Sequence, residues 1–196
     1  LAYQPGTRWQ YSVSSDVLAR LVEIWSGKPF ADFLNDRIFR PLHMNDTHFH
    51  VPKAKVQRFA AMYAPVNPAK PMAGGLEPAS DTLFGGYLTP KKLASGGGGL
   101  VATIADYTRF ICMLAGRGET GNSRILTAET VALMHTNQLP AGVGVQLPNW
   151  FMPNTVFGLG AAIKTAPADG EPDAAIGEYH WGGIAGTHSW VSPSAN

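Results

Sequence analysis

Tyr11 stands in PGTRWQYSVSSD, two or three residues ahead of a run with helical apolar spacing. An ordinary phenol, with a pKa of about 10, is a poor base near neutrality. It becomes a proton acceptor only beside a positive charge, and a helix N-terminus supplies part of one. The competing account is an amphipathic ring packed at the start of a helix. The chain contains no G-x-S-x-G, so the nucleophile elbow of the α/β-hydrolases is absent.

Residues 176 to 191, IGEYHWGGIAGTHSWV, have the apolar and aromatic content of a strand but carry Gly182 and Gly183 within it. Glycine weakens a strand, so it marks either a turn or a place where another backbone or a ligand comes close. Two further constellations invite chemistry. His43, His48 and His50 form H-x4-H-x-H, and a strand would put His48 and His50 on one face as metal ligands or as exposed histidines. With neither a cysteine nor a defined carboxylate beside them, exposed histidines are the reading adopted, and no metal is assigned. Gly97, Gly99 and Ala102 loosely match a dinucleotide fingerprint, but LTPKKLAS ahead of them is a poor buried strand. No cofactor is expected.

The elements that would hold these groups follow from caps and periodicity. Ser14-Ser15-Asp16 is a polar cap before Val17, Leu18, Leu21, Val22, Ile24 and Trp25, and Gly27 closes that helix. Pro29 suits the first turn of a second helix that uses Phe30, Phe33, Leu34 and Ile38 and stops at Pro41. Thr47 to Val51 reads as a short strand. Pro65, Pro68, Pro71, Pro78 and Pro90 among many glycines predict an extended loop over about 65–99. Thr103 and Asp106 resemble a capping box for a third helix ending at Gly116, and Thr127 caps a fourth over 128–135. Residues 156–163, 176–181 and 187–191 read as successive antiparallel strands. The fold class is therefore α+β, with helices packed on an antiparallel sheet.

Composition narrows the partners. The 196 residues hold 15 Lys and Arg against 14 Asp and Glu, a formal net charge of +1, with no basic run of the kind that follows a phosphate backbone. Nucleic acid is not expected. No apolar run reaches the roughly 18 residues of a membrane span. The one cysteine, Cys112, sits in the third helical pattern and has no partner within the chain.

Four stretches, PGTRWQYSVSSDVLARLVEIWSG, RPLHMNDTHF, SGGGGLVATIADYTRF and HWGGIAGTHSWVSP, resemble in this order the C-terminal half of serine β-lactamase-like and penicillin-binding proteins. The nearest likeness is to the family VIII carboxylesterases. The resemblance implies an incomplete β-lactamase/transpeptidase-like domain over 1–196: a catalytic-tyrosine region at about 1–64, the loop region at about 65–99, and helices with C-terminal strands at about 100–196. It further implies that Tyr11 is the catalytic tyrosine, supported by Ser12 and Asp16, and that Trp181, Gly182 and Gly183 replace the K-T-G element along which substrate lies. The backbone N–H of Ile184 then donates to the oxyanion. Tyr11 and Ile184 are expected to face one pocket.

The departures from the family pattern carry their own implications. No serine has a lysine three positions on, so the S-x-x-K nucleophile is expected on a segment upstream, in a missing N-terminal half. Localisation, in a bacterial cytoplasm or periplasm, would be specified there as well. Thr89-Pro90-Lys91-Lys92 is rejected as its echo, and Lys164-Thr165-Ala166 is read as a strand end rather than a K-T-G element. His43 replaces a glycine of the P-L-G-M turn, Val13 replaces an asparagine, and Ser192 replaces an aspartate. The function implied is hydrolysis of short acyl esters, small-molecule substrates, by way of an acyl-enzyme. The alternatives are a β-lactamase, a D-amino-acid peptidase or amidase, or a silent binding protein of the same fold.

Overall fold

Gly27 takes up the left-handed conformation, φ 67°, and its N–H bonds the Glu23 carbonyl, ending helix α1 (Ser14–Ser26) where expected. The structure, a computed structural model, describes residues 3–80, 86–147 and 150–194. The start of α1 differs from expectation. The helical backbone already includes Ser14, so Val13 occupies the cap position and no side chain caps the helix. Asp16, in the first turn, is bonded to Ser95 instead. Ala19 is the buried residue of α1, while Val17, Leu18, Ile24 and Trp25 are exposed.

Helix α2 (Phe30–Leu34) is shorter than predicted, with Pro29 at its cap rather than in its first turn. It widens into a π-helical turn, Asn35–Phe39, in which the Arg40 N–H reaches the Asn35 carbonyl at 2.9 Å. His43 follows with φ 54°, the left-handed backbone for which glycine is the usual choice. Thr47 to Val51 is not a strand. Its one ladder contact is a bridge from His48 to Val101.

The predicted loop region contains a hairpin, β1 (Met62–Pro65) with β2 (Leu76–Ala79). Both strands of an isolated pair have an outer edge, so Pro65 and Pro78 fit without costing a ladder bond. Helix α3 (Ile104–Ala115) is capped by Thr103, whose hydroxyl accepts the Asp106 N–H at 3.2 Å. The Asp106 carboxylate does not complete a capping box. It accepts from the Asp46 N–H at 2.6 Å and the Thr47 hydroxyl at 3.1 Å and pairs with Arg109, tying α3 to the turn after α2. A two-residue pair follows, β3 (Glu119–Thr120) with β4 (Ser123–Arg124), and then α4 (Ala128–Met134), capped by Thr127.

After a second short pair, β5 (Gln146–Leu147) with β6 (Trp150–Phe151), comes the main sheet. It comprises β7 (Thr155–Phe157), β8 (Ala162–Lys164), β9 (Tyr179–Gly182) and β10 (His188–Val191), antiparallel in the order β10-β9-β8-β7. Residues 156–163 are thus two strands and a turn rather than one strand. Gly160 has φ 101°, the Gly158 N–H meets the Ala161 carbonyl at 2.9 Å, and a side chain at Gly158 would strike the Met134 carbonyl.

Alternation along these strands puts Ile163, Tyr179 and Val191 on one face, where they meet Met113 and Leu114 of α3 and Phe39, Leu42 and Met44 from the turn after α2. A smaller cluster of Val145, Met152 and Ala162 receives Trp9, Phe157 and Trp181. The first cluster anchors the sheet to the helices. The second anchors the N-terminal segment to the sheet, and this brings Tyr11 to β9.

Candidate active site

Trp9 packs at 5.3 Å from Phe157 and 6.4 Å from Trp181, ring centroid to ring centroid. Phe157 and Trp181 meet edge to face at 5.4 Å. These large apolar rings hold the segment leading into α1 against β7 and β9. Tyr11, two residues on from Trp9, lies over Trp181 at 6.1 Å with 23° between the planes. Half of its surface is exposed, and its hydroxyl has no hydrogen-bond partner among the described residues.

Gly182 and Gly183 lead into the β9–β10 turn. The Gly183 N–H donates to the Thr187 carbonyl at 2.8 Å, and the Gly186 N–H donates to the Gly183 carbonyl at 3.0 Å. A Cβ on Gly183 would collide with the Thr187 hydroxyl, and one on Gly182 would sit 3.3 Å from the Thr187 carbonyl oxygen. A side chain at either glycine would press on Thr187, across the turn. Ile184 follows at the tip, 87% exposed, and its N–H has no partner among the described residues.

Ser12 and Asp16 face a cavity of about 520 Å³ whose other walls include Phe49, Lys91, Lys92 and Ser95. Neither Tyr11 nor Ile184 lines it. The Ser95 hydroxyl donates to Asp16 Oδ1 at 2.6 Å and accepts the Gly97 N–H at 3.2 Å. The glycine run after Ser95 is packed hard against its surroundings. A Cβ on Gly96 would strike the Ser15 carbonyl, and one on Gly99 would lie 2.9 Å from the Phe49 ring. No strand precedes this run among the described residues 86–99, so Gly97 and Gly99 belong to a loop laid on α1 and do not form a dinucleotide turn.

His50 is among the charges acting on His48. Lys55 Nζ lies 3.2 Å from His48 Nε2, where a metal would have to be. Burial, then the Lys55 charge, hold His48 below the usual histidine range. Lys164 ends β8 and bonds Glu171 at 2.7 Å, with Glu178 at 3.5 Å. Bonding to Glu171 raises its pKa and keeps it cationic, so it is a committed ion-pair partner as well as the strand end anticipated. Sequence reasoning missed Trp9 and Phe157, the rings that seat Tyr11, and missed Ser95, the partner of Asp16. Alternating aromatics at positions 9 and 11 were the available signal for the first.

The beta-lactamase family model matches residues 1–196. The chain belongs to the beta-lactamase family. Among its relatives, Protein Rv1367c of Mycobacterium tuberculosis is 32% identical over 205 residues, covering 100% of this chain and 48% of the relative. Esterase EstB of Burkholderia gladioli is 30% identical over 199 residues, covering 97% of this chain and 47% of the relative. Among solved structures, EstCE1, a hydrolase with promiscuous acyltransferase activity, superposes with a TM-score of 0.77 at 26% identity, covering 98% of this chain and 50% of that one. This beta-lactamase-family chain thus spans about half the length of the curated relatives it matches. Its fold is β-lactamase/transpeptidase-like and incomplete, and an esterase and a hydrolase with acyltransferase activity are among the proteins it resembles.

Proposed function

We propose that this chain supplies the tyrosine and glycine-strand walls of a serine esterase that cleaves short acyl esters, with the nucleophile on a segment upstream. The observation that carries the reading is the packing of Tyr11, half-exposed and with an unpartnered hydroxyl among the described residues, on Trp181, which itself lies three residues before Ile184 in the chain. In the proposed cycle the upstream serine oxygen bonds to the ester carbonyl carbon as its proton passes to the Tyr11 oxygen, assisted by the lysine of S-x-x-K. The carbonyl oxygen becomes an oxyanion that accepts from the Ile184 N–H, a contribution of a few kcal/mol to the barrier. The C–O bond to the alcohol then breaks, and the alcohol leaves with that proton. Water repeats the sequence on the acyl-enzyme and releases the acid.

Asp16, bonded to Ser95, positions Ser12 and the first turn of α1 in this reading. Trp181 presents a neutral ring where K-T-G carries a cation, so this wall has no charge for the carboxylate of a β-lactam, and esters are the favoured acyl donors. Esterase EstB is a relative whose name agrees with that choice. Tyr11→Phe in the full-length protein tests the scheme. Acylation by a chromogenic ester falls about 10²–10⁴-fold with folding intact. Near-normal turnover removes Tyr11 from the mechanism, and a clear preference for a cephalosporin over the neutral ester refutes the role given to Trp181.

A further inference from the structure

The cavity walled by Ser12 and Asp16 also holds two cationic side chains. Lys91 and Lys92 both line it, and neither makes an ion pair among the described residues. The wall's carboxylate among the described residues, Asp16, has Oδ1 taken up by the Ser95 hydroxyl. The Tyr87 hydroxyl donates to the Gly98 carbonyl at 2.9 Å and adds no charge. Among the described residues two cations thus face one carboxylate in a concave site of about 520 Å³, and Ser12, the residue after Tyr11, forms part of the same wall. Concave walls of one sign concentrate an oppositely charged ligand. The loop that carries the lysines is held to α1 by Ser95 and by the close packing of Gly96 on Ser15, so its position against the first turn of α1 is set by more than the lysine side chains.

We propose that this cavity receives a carboxylate at the far end of the acyl chain, held by Lys91 and Lys92, so that the favoured substrates are half-esters of dicarboxylic acids. This assignment rests on the esterase reading above. Trp181 is not among the cavity's walls, and the assignment gives the Lys91-Lys92 pair, which has no place in a nucleophile motif, a task in specificity. The contact is electrostatic and half open to water, so it is sensitive to salt.

The test compares mono-para-nitrophenyl glutarate with para-nitrophenyl pentanoate, which has the same acyl length without the charge, in the full-length protein and its Lys91→Gln/Lys92→Gln variant. The expected kcat/KM ratio of glutarate to pentanoate is about tenfold in favour of the half-ester at low salt. It collapses toward one in the variant, and also in the parent at about 1 M salt, where the Debye length is about 3 Å. Equal turnover of the two esters, or a preference that the double substitution leaves unchanged, overturns the assignment while the esterase reading stands. Turnover of neither ester overturns both. Thermal unfolding of the variant separates a lost charge from a lost fold, because both lysines are exposed and their replacement leaves the melting temperature in place.

Discussion

The Tyr11 ring lies 23° from parallel to Trp181, and Trp9 touches both rings. A phenol is thereby registered to a strand that the chain reaches only near its other end. The contact uses ring area rather than hydrogen bonds, so the tyrosine oxygen stays unspent. Trp181→Ala should remove the surface on which Tyr11 rests and open a gap beside Phe157 and Trp9. Loss of a large ring that is only partly buried costs about 2–3 kcal/mol. Urea unfolding should show that loss together with a drop in ester kcat/KM, whereas Trp181→Phe should recover most of both. Full activity in Trp181→Ala would mean that Tyr11 is seated by something else.

Neighbouring glycines in one run should respond oppositely to the same substitution. A methyl at Gly96 meets the Ser15 carbonyl and Ala19 Cβ, both part of α1, whereas a methyl at Gly98 meets nothing within 4 Å. Gly96→Ala is expected to destabilise by about 1–3 kcal/mol because the helix must move. Gly98→Ala should be neutral or slightly stabilising, since it restricts the unfolded chain. Equal effects in denaturant titrations would show that the loop does not rest on α1.

Acid should weaken the fold through His135. Its ring stacks on Tyr179 at 3.3 Å between centroids, and burial depresses its pKa from 6.5 to about 4. Burial raises the Tyr179 hydroxyl to about 12, so both rings of the pair are neutral at physiological pH. A histidine with a depressed folded pKa leaves the unfolded state holding more protons between those two values, so stability is full above pH 6.5 and declines as pH falls toward about 4. The ring is only partly buried, which limits the loss to about 1–2 kcal/mol. His48 and His180, both lowered first by burial, act in the same direction. Urea unfolding at pH 7 and pH 5 should therefore differ less in His135→Phe than in the parent, and an unchanged difference would exclude His135.

Helices α1, α3 and α4 were legible because local signals decide them: Gly27 in the left-handed region, Thr103 and Thr127 accepting from the third residue on. The π-turn after α2 was not, because widening the hydrogen-bond ring at Asn35 leaves the apolar spacing of Leu34 and Ile38 nearly as a regular helix would have it. Residues 156–163 read as one strand because apolar residues flank the turn on both sides, yet Gly158 and Gly160 carried the interruption. The prolines that argued against order in 62–79 are compatible with a two-stranded hairpin. The meeting of Tyr11 with Trp181 has no local trace. The resemblance to a family led only to the expectation that Tyr11 and Ile184 share a pocket, while Trp9, inside a quoted motif but given no role there, and Phe157, outside the motifs, make the meeting possible.

The main sheet has an outer rim at β10, where Trp190 is 58% exposed and no further strand pairs among the described residues. Such a rim is a template: its free amides and carbonyls will accept any extended segment that arrives, including the same rim on a second molecule. Produced by itself, this piece is thus inclined to self-associate. A strand that closes the rim would stiffen the hairpin whose tip carries Ile184, coupling completion of the sheet to readiness for chemistry.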